Sequence, residues 1–226
     1  MRTQCSSLLT LAALILAVGV GTARAAPVVQ NGDFENVLIG PPFVSANPAD
    51  VPGWTHTGSP GDGLLWAVGY SDGGGNVTVA GHGNQFVTMG GGFGTPGTAG
   101  WTSTATGLVV GQQYQLLFDI ADEGVPSLEV SPQTMTAAVT SGGVTSQSYT
   151  VPGTGNYWKN WVGESIIFTA GATTAVLDFS VTNQPYDMGL DDVRLNAVQA
   201  VPEPGSLSLI VAALAGLGLL RRWRTA

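Results

Sequence analysis

The chain has 226 residues, of which 33 are glycine and one is cysteine, and a formal net charge of −8. That charge is unevenly spread: between Ala26 and Ala200 only Lys159 and Arg194 are basic, against fourteen acids, a net −12. Such a surface repels phosphate backbones and anionic headgroups, which argues against nucleic-acid or electrostatic membrane binding and suits divalent cations and neutral sugars.

At the start, Arg2 is followed by an apolar run from Leu8 to Val20 and by Ala23-Arg24-Ala25, an A-x-A cleavage site. Residues 1–25 therefore read as a secretory signal removed by signal peptidase, and Cys5 leaves with it. What remains has no cysteine and enters an oxidising compartment without disulfides, so its core, with or without a metal, must hold it together. Residues 26–200 are long enough for one domain with a real core.

Within that domain strand-like runs recur between glycines. Val28 to Glu35 reads as a first strand ending in Asn31-Gly32-Asp33-Phe34-Glu35, and a Pro- and Asn-rich loop spans Gly40 to Ala49. Trp54 leads into a short strand with His56; Leu64 to Tyr70, Asn84 to Met89 and Trp101 to Thr106 follow. The clearest strand is Gln113 to Ala121, where Tyr114, Leu116, Phe118 and Ile120 share one face at period two. Thr134–Thr140 and Val144–Val151 flank Ser141-Gly142-Gly143, the pattern of a hairpin. Trp161 to Phe168, Thr174 to Thr182 and Gly189 to about Val198 complete the set, with no amphipathic helix and no internal repeat. Many short strands between glycine turns predict an all-β protein, an antiparallel β-sandwich or jelly roll.

Past Ala200 the pattern changes. Val201-Pro202-Glu203-Pro204 cannot continue a strand or helix, because its prolines fix φ and lack N–H groups. An uncharged Leu-, Ala- and Gly-rich run follows, then Arg221-Arg222-Trp223-Arg224. Counted from 205 to 220 the run is slightly short of the roughly 17–25 residues of a comfortable membrane span. The arginines mark its cytoplasmic end. This order resembles the PEP-CTERM sorting signal, carried here by Val201, Pro202, Glu203 and Pro204, the apolar run, and Arg221, Arg222 and Arg224. The resemblance implies recognition and cutting of residues 201–226 by an exosortase in a Gram-negative bacterium that makes exopolysaccharide. The product would be inner-membrane anchored in transit, then placed in the cell envelope or extracellular (biofilm) matrix.

A second resemblance runs through the domain. Asn31-Gly32-Asp33-Phe34-Glu35, Pro52-Gly53-Trp54, Gly83-Asn84-Gln85-Phe86-Val87, Gly107-Leu108 with Gly111-Gln112 and Tyr114, and Leu190-Asp191-Asp192-Val193 occur in this order. Together they look like the galactose-binding-like jelly roll of carbohydrate-binding modules. That likeness implies two antiparallel sheets whose first and last strands meet, and a structural calcium ion near the meeting point. Calcium takes six to eight oxygen ligands, and the resemblance makes Glu35 and Asp191 its first expected ligands, with Asp33 next. It also places Trp54, Phe86 and Tyr114 in the core.

Sugar-binding faces stack aromatic rings on pyranose C–H groups and bond hydroxyls with Asp, Asn or Gln. Of the available rings, Tyr157 and Trp158 stand beside Lys159 and Asn160 and read as an exposed platform with Trp161, although a tryptophan in a sandwich is also a natural core residue. Catalysis has weaker support. Gly69-Tyr70-Ser71-Asp72-Gly73 matches a nucleophile elbow, but Gly74-Gly75-Asn76 will not start the helix that this turn requires. Nothing places His56 or His82 beside Ser71, and Asp122 and Glu123, adjacent in a loop, point apart. The expectation is a non-catalytic exported protein binding exopolysaccharide. Its alternatives are a purely structural matrix or adhesion protein with no sugar site, and a secreted hydrolase.

Overall fold

Alternation decides the architecture. In β6 (Gln113–Asp122) the side chains of Tyr114, Leu116, Phe118 and Ile120 are buried, and the residues between them are less so. The same period recurs in β7 (Gln133–Thr140) with Met135, Ala137 and Val139, and in β10 (Thr174–Gln184) with Ala175, Leu177, Phe179 and Val181. Each strand thus has one apolar face that must be buried against another sheet.

The computed structural model describes residues 26–36, 44–45, 51–58, 63–68, 80–91, 96–124, 132–153 and 158–198. The expected signal, the expected sorting tail and the Gly69–Gly73 elbow lie outside them. The remaining strands are β1 (Val44–Ser45), β2 (Trp54–Gly58), β3 (Leu65–Ala67), β4 (Gln85–Gly90), β5 (Gly97–Thr106), β8 (Val144–Val151), β9 (Val162–Thr169) and β11 (Asp187–Ala197). They form a six-stranded sheet in the order β1-β3-β4-β11-β6-β9 and a five-stranded sheet in the order β2-β5-β10-β7-β8. All strand pairings among the described residues are antiparallel, so these residues form the all-β, two-sheet antiparallel sandwich that the sequence predicts. None of the described residues is helical. The β7–β8 hairpin turns at residues 141–143 as expected.

One element differs. Val28 to Glu35 is not a strand: Val28 makes an isolated bridge to Thr106, and residues 30–33 form a turn. The turn is built by its side chains. Asn31 sits at φ 50, its amide donates to the Pro52 carbonyl (3.1 Å), and its Oδ1 accepts from the Asn36 N–H (3.0 Å). The indole of Trp54 donates to the carbonyl of Asn31 (2.9 Å). The chain's start still meets its last strand, because the Val193 N–H donates to the Gly32 carbonyl at 2.8 Å.

Between the sheets lies one large core that includes Trp54, Trp101, Phe118, Tyr114, Leu177 and Phe179. A second, smaller cluster of Trp66, Phe86, Ala121 and Trp158 covers the outer face of the six-stranded sheet. That is why β3 and β4 are buried along their whole length instead of alternating. Both clusters are built from described residues of the sandwich alone.

Gly32 is fixed by packing: a Cβ there would run into the carbonyl oxygen of Val193, and Val29 stands on its other side. Gly32→Ala is therefore expected to destabilise the fold by about 2–4 kcal/mol, through overpacking and loss of the Gly32–Val193 hydrogen bond. Gly143→Ala, in open space at the hairpin tip, should leave the denaturation midpoint within about 0.5 kcal/mol of the parent. Equal midpoints for the two variants would overturn this account of the turn.

Candidate functional site

The outer face of the six-stranded sheet is shaped by what β11 and β6 present on it. Met188 and Leu190 point into the core, so Gly189 and Asp191 point outward; in β6 Ile120 is internal, and Asp119 and Ala121 face out. The register then sets Asp191 opposite Asp119, and Asp119 opposite Gly163 of β9. Two carboxylates thus stand directly across from each other on one face, an arrangement that costs stability unless something compensates.

Asp191 is completely buried. Its Oδ2 accepts the His82 N–H (2.6 Å), and its Oδ1 accepts the Asp192 N–H (2.7 Å). Burial pushes its pKa up to about 9; the His82 N–H opposes the rise, while the nearby charges of Asp119, Glu35 and Asp33 add to it. Asp191 therefore feels the charges of Asp119, Glu35 and Asp33, of which the sequence reading named Glu35 and Asp33 but not Asp119.

Glu35 is half-buried, and its Oε1 accepts the N–H groups of Asn84 (2.5 Å) and Gln85 (2.7 Å). Asp33 is exposed, with its Oδ1 3.4 Å from the Glu35 nitrogen. Among the described residues no group of three or more His, Cys, Asp or Glu side chains is gathered to hold a metal ion. The excess negative charge suits a divalent cation, but Asp33, Glu35 and Asp191 are turned largely toward backbone N–H groups. Arg194, one of the domain's two basic residues, is paired with Asp192.

The backbone is strained where these groups sit. Asn31, Phe34, Trp158 and Asp192 have φ between 47° and 58°. For Phe34 and Trp158 that region is costly and must be imposed by the surrounding packing.

The aromatic platform needs correction. Trp158 is 0% exposed: its ring packs against Phe86 at 5.1 Å and Trp66 at 5.9 Å, and its backbone N–H donates to the Glu123 carbonyl (3.2 Å). It cannot offer a flat face to a sugar, because the outer face of β3, β4 and β6 supplies enough apolar surface to close over it. Tyr157 lies outside the described residues. Trp161 is half-buried; its indole donates to the Trp158 carbonyl (3.0 Å), and it meets Phe86 edge-on at 5.2 Å. Trp66 and Trp101 are buried as well, while Trp54, Phe86 and Tyr114 are core residues as expected.

Glycines let the chain pack closely around Trp161. A Cβ on Gly81 would lie 2.8 Å from the Trp161 ring and 3.2 Å from the Asp119 Cβ, and one on Gly163 would lie 3.3 Å from the Asp119 carboxylate. A Cβ on Gly189 would meet the rings of both Trp161 (2.8 Å) and Trp158 (3.1 Å). Trp161 and the half-buried Asp119 therefore border one shelf. From Asp119 it continues into a shallow groove of about 190 Å³ lined by Leu117, Gly163, Glu164, Ser165 and Arg194. The sequence reading missed Asp119; glycines inside strands, the usual mark of close approach, were the available signal.

Asp122 closes β6 and Glu123 follows it outside the strand. Both are buried, together with Asp187 from the start of β11. The Glu123 N–H donates to the Asp187 carbonyl (2.9 Å), and the Asp187 N–H approaches the Glu123 carboxylate (3.4 Å). His82 is exposed and holds Asp191 through its backbone; the half-buried His56 packs against Trp101 at 5.0 Å. Among the described residues no helix is long and apolar enough to cross a membrane.

No protein-family model matches the chain, and no curated protein matches it. Solved structures are similar to it in fold. The carbohydrate-binding module TmCBM61, in complex with β-1,4-galactotriose, is 17% identical with a TM-score of 0.49, over 78% of this chain and 99% of that one. The CBM22-1 xylan-binding domain from Paenibacillus barcinonensis Xyn10C is 13% identical with a TM-score of 0.47, over 80% of this chain and all of the other. The arabinose-bound α-L-arabinofuranosidase MgGH51 is 14% identical with a TM-score of 0.50, over 80% of this chain but only 28% of the enzyme. At these identities the likeness is one of fold, the antiparallel β-sandwich.

Proposed function

We propose that this is a non-catalytic, exported envelope or matrix protein whose sandwich, a galactose-binding-like jelly roll, binds a neutral exopolysaccharide. The site proposed is the shelf and groove on the outer face of the six-stranded sheet. One observation carries the reading: the Asp119–Asp191 pair stands in register near the half-buried ring of Trp161, with Gly81 and Gly163 packed closely beside them. A partly exposed indole can stack on pyranose C–H groups, and carboxylates accept hydrogen bonds from sugar hydroxyls. The net charge of −12 across residues 26–200 favours a neutral polymer over an anionic one. In this proposal residues 1–25 are the cleaved signal and residues 201–226 the exosortase-processed tail, as their sequences suggest.

A glycan array probed with the chain in detergent tests the reading. Trp161→Ala and Asp119→Ala are each expected to weaken binding to the preferred neutral glycan at least about tenfold, or 1.4 kcal/mol, with the β-rich circular dichroism spectrum retained. No binding to any glycan would leave the structural matrix role in its place. Trp158→Ala is expected instead to lower the melting temperature, by a loss of about 3–5 kcal/mol, since it empties a buried site.

Calcium at the acidic corner is the second part of the proposal, with Asp191 and Glu35 as its first ligands and Asp33 the next. The charges of Asp119, Glu35 and Asp33, which add to the rise of the Asp191 pKa, support it. The pKa of Asp191 gives the sign of a test. Its folded value, about 9, lies above its ordinary 3.8, so between these pH values the folded chain binds a proton that the unfolded chain does not. Stability from this group is full below about pH 4 and lost as pH rises toward 9, by at most about 1.4 kcal/mol per pH unit. In chelator, the melting temperature should fall from pH 5 to pH 8, and Asp191→Asn should flatten that fall. Millimolar calcium should restore the pH 8 value in the parent alone. A chelated parent that melts identically with and without calcium would dispose of the ion.

A further inference from the structure

Every open sheet has two edges, and an edge strand presents unpaired N–H and C=O groups to any chain that can match them. The four edges here are β1 and β9 in one sheet and β2 and β8 in the other. Three are blunted. β1 has two residues, and β2 has five and ends at Gly58 with φ 111°. β9 carries the half-buried charge of Glu164.

β8 has none of these protections. It runs eight residues as Val-Thr-Ser-Gln-Ser-Tyr-Thr-Val, with no charge, proline or glycine, and pairs with β7 over its full length without a bulge. Among the described residues no strand pairs with its other side. Gln147 faces the inner side of the sheet, opposite buried Ala137, and is still exposed. The strand therefore leaves the opposing sheet at Gln147, while Tyr149 and Val151 on the same side stay buried.

We propose that β8 is a self-association edge, pairing antiparallel with β8 of a second copy of this chain. Charge restricts where that occupant can dock. Two bodies each carrying −12 across the domain repel almost anywhere they meet. The outer face bordering β8 is close to neutral. Its cross-strand rows read Thr104–Val176–Thr140–Val144, Thr102–Asp178–Ala138–Ser146 and Gly100–Ser180–Thr136–Ser148, with Asp178 the one charge. Two copies can meet there at low electrostatic cost. A two-fold axis through Gln147, perpendicular to the sheet, keeps like faces together and sets Ser146 of one copy opposite Ser148 of the other. It joins the two five-stranded sheets into one of ten. The contact is isologous, so it closes as a dimer and does not propagate as a fibre. Val144, 70% exposed and on that same outer face, falls opposite Thr150 of the second copy and is covered.

Cysteine cross-linking of the full-length chain tests this, because Cys5 is its one cysteine. In a Cys5→Ser background, Gln147→Cys is introduced, with Ser148→Cys, which this register sets away from its own copy, and Thr57→Cys on the opposite edge as controls. Facing Cα atoms in an antiparallel pair are about 4.5–5.5 Å apart, within the roughly 4.4–6.8 Å that a disulfide bridges. Mild oxidation in detergent should give a disulfide-linked dimer from Gln147→Cys about tenfold faster than from either control. Adding Ser146→Lys and Ser148→Lys to the Gln147→Cys chain should abolish that difference, and added salt should strengthen association of the parent by screening its charge. Sedimentation of the Cys-free chain gives an independent measure. Equal cross-linking at all three positions, or a Cys-free chain whose mass distribution the lysines leave unchanged at an unaltered melting temperature, would overturn the proposal. It stands apart from sugar binding, since β8 lies in the sheet that does not carry the shelf.

Discussion

The structure depends on how β11 passes between β4 and β6. Its register with β6 slips between Asp191 and Arg194, so that Asp192 and Val193 together oppose Phe118. This is a β-bulge, and Asp192 absorbs it at φ 47°. Asp tolerates that conformation better than most side chains. The slip has two consequences. It returns Val193 and Leu195 to the core after Asp191 has pointed outward, and it aims the Val193 N–H at the carbonyl of Gly32. Without the extra residue, strict alternation would bring Asp192 inward and expel Val193. The acidic corner and the apolar core are therefore set by the same irregularity.

The outer face shows a second consequence of small residues. Gly189 and Ala121 leave room over the middle of the six-stranded sheet, and Trp158 and Trp161 fill it from the segment after β8. The sheet is thus packed on both sides near β3 and β4 and open only beyond Trp161, toward Asp119 and the groove. A face that was polar all along would have no wall for a ligand to lie against. A fully covered one would have no site.

Much of this fold was legible in the sequence. β6, β7 and β10 alternate apolar and polar residues cleanly because each has one face in the core, and that periodicity marks them within a residue or two of their ends. Val28 to Glu35 misled because short apolar runs look alike in strands and in tightly hydrogen-bonded turns. The deciding contacts, from Asn31 to Pro52 and from Trp54 to Asn31, come from residues more than twenty positions away. Trp158 misled for a similar reason. Its neighbours Lys159 and Asn160 are polar, but its own environment is made by Trp66, Phe86 and Gly189, which only the assembled sheet brings together. Asp191 was visible as a candidate. Its partner Asp119 was not, since strand register cannot be read from a single run.

The Asp119–Asp191 pair links the two chemistries considered for this face. With both groups ionised, two negative charges share a row of the sheet, and one of them is sealed from water. The pair can relax in two ways: Asp191 holds a proton, or a cation draws both charges. The first turns a buried acceptor into a donor, and the second leaves Asp119 as a pure acceptor at the edge of the shelf. In the proposed reading, a sugar hydroxyl beside Trp161 would meet Asp119 in a field set by which of these neutralises Asp191. Charge compensation at the corner and recognition on the shelf would then draw on the same pair of carboxyl groups.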